Sequence, residues 1–237
     1  MKILFCNPPS PDTSTYYRDC NRSGRRSKAG EIWPQAGLAQ FAALYPDHNL
    51  KLIDCIAERM SYSRLNDEIR AFKPDWVFFN PVSCTISSDM AVAYMAKQVG
   101  AKTAAISPHI KVLESETFNR FPYLDHSIQH SKVGPEAEYK LRELITGESS
   151  NETSFEDLPP ARHDLLPINK YSMPFIGKGY TAIIASRGCP YACIYCRTTV
   201  ATERKIRYRS VDVVIEEIRK YRLTNFILHG DTMTLNR

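Results

Sequence analysis

Residues 76–107 read WVFFNPVSCTISSDMAVAYMAKQVGAKTAAIS, and this stretch sets the architecture. Trp76–Asn80 is a short apolar run stopped by Pro81, which reads as a strand. A polar loop follows, with Ser83, Cys84 and Thr85. Asp89–Val99 has a helical pattern, and Gly100 is placed to end it. Lys102–Ser107 is a second apolar run, with Pro108 and His109 at its carboxyl end. Strands that are apolar on both faces and joined through a helix belong to a parallel sheet covered on both sides.

The pattern extends in both directions. Lys2–Cys6 is a strand stopped by Asn7-Pro8-Pro9, and residues 10–32 are a long polar loop. Pro34 suits the first turn of a helix running to about Tyr45. Leu50–Ile53 is a strand, and Arg64–Phe72 is a helix with Leu65, Ile69 and Phe72 on one face. Val112–Phe118 reads as a short helix, Ser127–Ser131 as a fifth strand and Glu136–Ile145 as a helix closed by Gly147. Residues 1–146 therefore read as one α/β domain with a doubly wound parallel sheet. Ligands of such sheets sit beyond the carboxyl ends of the strands. That rim carries Asn7, Pro8, Ser83, Cys84, Pro108 and His109.

Residues 147–179 differ in composition. They are polar and hold Pro159, Pro160, Pro167 and Pro174, which reads as a protease-sensitive linker. Tyr180–Ser186 is a new strand, Val211–Tyr221 an amphipathic helix with Val214, Ile215 and Ile218 on one side, and Asn225–His229 another strand.

The 237 residues carry a net charge of +5, with 43% hydrophobic and 24% charged residues, as in an ordinary globular protein. There is no apolar run long enough to span a membrane and no secretory leader pattern, so a cytoplasmic location is expected. Basic residues cluster at 18–28 and 204–209; without an aromatic RNA-binding signature they read as solvated or phosphate-facing loop charges.

The seven cysteines include three in the segment Ser186-Arg-Gly-Cys189-Pro-Tyr-Ala-Cys193-Ile-Tyr195-Cys196. An odd count, clustering and no leader favour a metal site over disulfides. A zinc ribbon needs a second cysteine pair, and a ferredoxin run needs a fourth thiolate. Three thiolates can hold three irons of a [4Fe–4S] cube and leave the fourth iron open to a ligand. A structural zinc site using the three cysteines and a histidine such as His229 is the competing reading.

The CxxxCxxC spacing, with the aromatic Tyr195 before the last cysteine, resembles the signature of the radical S-adenosylmethionine (SAM) superfamily. Its place after the strand Tyr180–Ser186 is similar too, as are Arg207–Ser210, the helix from Val211 and the strand leading into Gly230-Asp231-Thr232. Together with Asp164–Pro167 and the Ser186–Cys189 entry, the chain resembles the subgroup with an N-terminal cobalamin (B12)-binding domain, which includes an anaerobic ring cyclase and many methyltransferases. The resemblance implies a Rossmann-like, B12-binding domain over 1–146 and the start of a radical SAM partial TIM barrel over 180–237, incomplete because only its first strands are present. It implies a [4Fe–4S] cluster on Cys189, Cys193 and Cys196, with SAM near Tyr195, Gly230 and Asp231. Cobalamin would lie against Asn7, Pro8, Ser83, Cys84, Pro108 and His109. Cys84 has a second reading, as a small buried filler, and Tyr195 as core packing.

The implied activity is radical or methyl-transfer chemistry on a small-molecule or peptide substrate, with electrons from a donor such as a flavodoxin or ferredoxin. Three departures shape the expectation. No Asp precedes a His by two positions, so cobalamin is expected to lack a histidine lower ligand. Ile106 and Ser107 stand where relatives often have two glycines. The short barrel implies slow or no SAM cleavage by this chain alone, and a second polypeptide could complete it. The alternative function is a non-catalytic cobalamin-binding module or one half of a split enzyme; a zinc-stabilised nucleic-acid binder is a third reading.

Overall fold

The computed structural model describes residues 1–19, 24–107, 110, 113–128, 136–147, 154–156, 158–196, 198 and 204–235. Strands β1 (Lys2–Asn7), β2 (Asn49–Asp54), β3 (Trp76–Phe79), β4 (Lys102–Ile106) and β5 (His126–Ile128) form one five-stranded sheet in the order β2-β1-β3-β4-β5. All four pairings are parallel. The fold is the doubly wound α/β architecture read from the sequence.

Alternate side chains of each strand feed two cores, because the side-chain period of a strand is two. Ile3, Phe5, Trp76 and Phe78 face α1 (Ala36–Ala42), and Phe5 stacks on Phe78 with ring centroids 5.3 Å apart. Leu4, Cys6, Val77 and Phe79 face α2 (Tyr62–Phe72) and the helices after β3, α3 (Ile86–Asp89) and α4 (Ala91–Gln98). The helical stretch after β3 thus starts at Ile86, earlier than its apolar spacing indicates. On α2 the Ser61 hydroxyl accepts from Arg64 N–H, and Lys73 closes the helix with φ of 50°. Helix α5 (Glu114–Arg120) lies two residues later than the sequence pattern placed it, and α6 (Glu136–Thr146) follows β5.

Within the stretch 147–179, which reads as a linker, residues 158–171 are anchored in the core instead. Ala161, Leu166, Tyr171 and Tyr180 are buried in the same cluster as Phe5 and Phe78. Arg162 N–H donates to Ala39 O at 3.0 Å, Ser172 pairs with Ile32, and Gln40 Nε2 donates to Pro159 O at 2.7 Å. Its prolines do not signal mobility here; they shape an extended path across α1. The short strands β6 (Ser172–Met173) and β7 (Gly177–Lys178) form a hairpin in this path.

The second unit starts with β8 (Thr181–Ile184), which pairs in parallel with β11 (Phe226–His229). Between them lie the antiparallel pair β9 (Ser186–Gly188) and β10 (Ile206–Tyr208) and helix α7 (Val211–Tyr221). Ser210 caps α7 by accepting from Val213 N–H. Ala36 of α1, Tyr139 of α6 and the buried Phe155 and Leu158 pack on Ala182 and Ile184, so the two sheets share a core.

Candidate functional site

The three cysteines lie on the loop that leaves β9. Cys189 and Cys196 are half-buried, Cys193 is exposed, and none is in a disulfide. Cys196 N–H donates to Cys193 O at 3.0 Å. Among the described residues no three metal-ligating side chains already converge. The donor chemistry still fits a cube: three thiols on one accessible loop, with backbone anchored on both sides. Tyr195 is 88% exposed, so it packs in no core of the described residues. The Cys193 charge pushes its phenol above the usual value.

The entrance to the loop is held by the end of β11. Gly188 has φ of +91°, a left-handed geometry suited to glycine. Its N–H donates to Asp231 Oδ2 at 2.8 Å. Gly230 sits where a Cβ would meet Ser186 Oγ at 1.9 Å, so Ser186 would have to shift to admit a side chain there. Tyr208 hydroxyl donates to Thr232 O at 3.0 Å. Arg187 is buried beside Glu138 in an ion pair, its guanidinium 4.8 Å from the Phe155 ring centre. Cys189, Gly230 and Asp231 are thus brought to one end of the β8–β11 pair.

The carboxyl rim of the five-stranded sheet is partly covered. The crevice expected for a ligand lies between β1 and β3, where the strand order reverses. Asn7 and Pro8 are buried there, and Asn7 Nδ2 donates to Asp54 Oδ1 at 2.6 Å. Ser83 and Cys84 are exposed; Cys84 is therefore not a buried filler, and its thiol points to Gly24 O at 3.2 Å. Pro108 and His109 lie outside the described residues.

Arg18 belongs to a basic cluster whose pattern reads as solvated, but its side chain is fully buried. It donates to Asp89 Oδ1 at 2.7 Å and to Pro9 O at 3.1 Å. Arg209 of the second basic cluster is also buried, paired with Glu217 at 2.5 Å. A charge in a basic run reads as solvated until its acidic partner, distant in sequence, is located. Two buried oxygens at the rim, Asn7 Oδ1 and Asn80 Oδ1, have no donor among the described residues. Such acceptors suit a ligand bordered by amide N–H groups, as a corrin is.

The two ends face each other. The rings of Trp33, in the loop after β1, and His229, at the end of β11, meet edge-on with centroids 5.5 Å apart. Burial pushes the His229 imidazole below its usual value, against the charges of Asp19 and Asp231, with Arg187 acting in the same sense as burial. Asp19 in turn accepts from Gly37 N–H at 2.7 Å, at the start of α1. His229 is thus packed against the first sheet's loops. Trp33, Asp19 and His229 carry no motif; only the packing of the two units brings them together.

The chain shares its fold with about half of a solved methyltransferase. The chain superposes on TsrM of Kitasatospora setae, a radical SAM methyltransferase solved with cobalamin and a [4Fe–4S] cluster, with a TM-score of 0.60 and 11% identity over 97% of this chain and 49% of that one. A second TsrM structure, with tryptophan substrate and a SAM analogue, gives the same TM-score over 99% of this chain and 48% of that one. No protein-family profile matches the chain. In sequence it is 26% identical to an uncharacterized methyltransferase of Pyrococcus horikoshii over the whole of its length and 55% of that protein's. Over 16% of the chain it is 38% identical to a bacteriochlorophyllide d C-12(1)-methyltransferase of Chlorobaculum tepidum, covering 9% of that protein. The chain therefore spans about half the length of the Pyrococcus protein and of TsrM. Among the described residues no helix is long and apolar enough to cross a membrane.

Proposed function

We propose that this chain forms the cofactor-binding part of a cobalamin-dependent radical SAM methyltransferase. The observation that carries the reading is the parallel pairing of β8 and β11, which brings Cys189 and Gly230-Asp231 to one end, opposite the ligand rim of the first sheet. Cys189, Cys193 and Cys196 hold the cluster. Tyr195 lies by the adenine of SAM, and Gly230-Asp231 lies by its methionine end. Asn7, Pro8, Ser83, Cys84, Pro108 and His109 border cobalamin. When bound, the cluster supplies the electron for SAM cleavage and cobalamin carries a methyl group. The chain's own part is to orient these groups and keep water from the space between the two sheet ends. The substrate is a small molecule or peptide, the electron donor a flavodoxin- or ferredoxin-like protein and the compartment the cytoplasm.

The test is anaerobic reconstitution with iron and sulfide. Wild type is expected to turn brown with thiolate-to-iron charge-transfer absorption. Cys189→Ala, Cys193→Ala and Cys196→Ala should each lose it. A triple variant that kept its iron, or a protein that took only zinc, would overturn the reading. In the cobalamin complex, the Co(II) paramagnetic resonance spectrum is expected to lack nitrogen splitting from a protein histidine.

A further inference from the structure

The backbone that launches the cysteine loop is fixed from the neighbouring strand. Three consecutive residues beyond β11 grip the β9–β10 pair. Gly230 lies against Ser186, Asp231 accepts from Gly188 N–H at 2.8 Å, and Thr232 O accepts from the Tyr208 hydroxyl at 3.0 Å. Ala185 N–H donates to His229 O at 2.9 Å, which sets the level at which β11 ends. The register of β9 and β10 places Ile206 opposite Gly188, so both ends of the cysteine loop are paired.

We propose that Asp231 is a positioning residue for the cysteine loop: its carboxylate fixes the direction in which the chain leaves Gly188 for Cys189 before any metal binds. The proposal rests on the reading of the cysteines as cluster ligands and gives Asp231 a part distinct from contact with SAM. Its physical basis is direct. Gly188 is in a left-handed conformation, which glycine reaches without strain but which its own flexibility does not hold. A carboxylate accepting from a backbone N–H makes a charge-assisted bond, stronger than a neutral one. A Cβ at 230 would lie 1.9 Å from Ser186 Oγ and 2.7 Å from Met233 Sδ, so Gly230 lets these side chains pack close beside the Asp231 contact. A ligand set held by its supporting contacts binds metal with less ordering left to do.

The experiment compares wild type, Asp231→Ala and Asp231→Asn. Two readouts use metal-free protein: hydrogen exchange at the Gly188 amide and the rate of Cys189 alkylation. The third is iron bound after reconstitution. Asparagine can still accept the Gly188 hydrogen bond through its carbonyl oxygen, without the charge. The Ala variant is expected to exchange at Gly188 about ten- to a hundredfold faster, to be alkylated faster at Cys189 and to bind less iron. The Asn variant should restore most of the protection and the iron. A residue serving SAM by its charge alone would give the opposite pattern, with Gly188 unaffected in both variants. Unchanged exchange and alkylation in Ala, or iron loss in Asn equal to that in Ala, would overturn the proposal. Should wild type take up no iron, the cluster reading fails, while the metal-free measurements still decide the role of Asp231.

Discussion

His163 bridges two parts of the chain far apart in sequence: its Nε2 stands 2.8 Å from Glu217 Oε1, and its Nδ1 stands 3.0 Å from Thr181 Oγ1. Arg209 completes the group on the other carboxylate oxygen of Glu217. His163 and Glu217 have side chains 1% and 0% exposed, so no water competes for these bonds. The network ties the stretch before β6 to β8, β10 and α7, and so holds the frame of the cysteine loop.

Removing one member leaves a polar atom of its neighbour buried without that partner. His163→Ala is expected to cost about 2–4 kcal/mol, from the unsatisfied groups and the cavity beside Tyr221. Glu217→Ala should cost about 3–5 kcal/mol, because Arg209 keeps an uncompensated buried charge. Urea unfolding measures both.

The same network predicts a pH response. Burial works to raise the Glu217 carboxyl, but the His163 hydrogen bond and the Arg209 charge overcome it and hold it below the usual range. A carboxyl lowered in the folded state stabilises fully above its unfolded value and loses that contribution as pH falls through the folded one. Wild type should therefore lose stability below about pH 4, and Glu217→Gln should lack that part of the loss.

Asp54 predicts the opposite sign. Burial pushes its carboxyl from 3.8 up to about 6, against hydrogen bonds from Ala57 N–H and Asn7. Its favourable contribution is full below the unfolded value and disappears as pH rises through about 6. Asp54 Oδ1 accepts from Asn7, Ile56 N–H and Ala57 N–H, and an asparagine oxygen can replace it in all three. Asp54→Asn should thus be near neutral at pH 4 and gain up to about 3 kcal/mol at pH 7.5. Denaturant curves at the two pH values check it.

The packing also predicts where the chain can be cut. Ala161, Leu166, Tyr171 and Tyr180 fill the core beneath β1 and β3. A fragment of residues 1–146 should therefore bind a hydrophobic dye and unfold at lower denaturant than one of residues 1–185. Limited proteolysis should spare 158–173. Early cleavage within that stretch, with a stable 1–146 product, would show that it is a linker after all.

Much of the molecule was legible in the residues alone. The apolar runs 2–6, 76–80 and 102–107 are buried on both faces, and that pattern leaves a parallel, two-sided sheet as the arrangement that covers them. The cysteine spacing and the Gly230-Asp231 turn are local signals, so they too could be read in one dimension. The errors have a common cause. Arg18, Arg209 and the proline-rich stretch 147–179 have the composition of exposed segments. The burial of Arg18, of Arg209 and of Leu158, Ala161, Leu166 and Tyr171 depends on Asp89, Glu217 and the underside of the first sheet, partners that composition does not reveal. The filler reading of Cys84 fails the other way: a small apolar residue type stands exposed in the loop after β3.

The sequence by itself determined which segments become strands and helices, that the first sheet is parallel, and that three thiols share one loop. These follow from the periodicity of burial and from spacing along the chain. Only the tertiary structure decided that Asp231 reaches Gly188, that Trp33 meets His229, and that His163 joins Glu217. Each of these joins residues at least 43 positions apart. Hydrogen-bond direction and desolvation act over a few ångströms, so such partners are chosen by packing after the strands are in place.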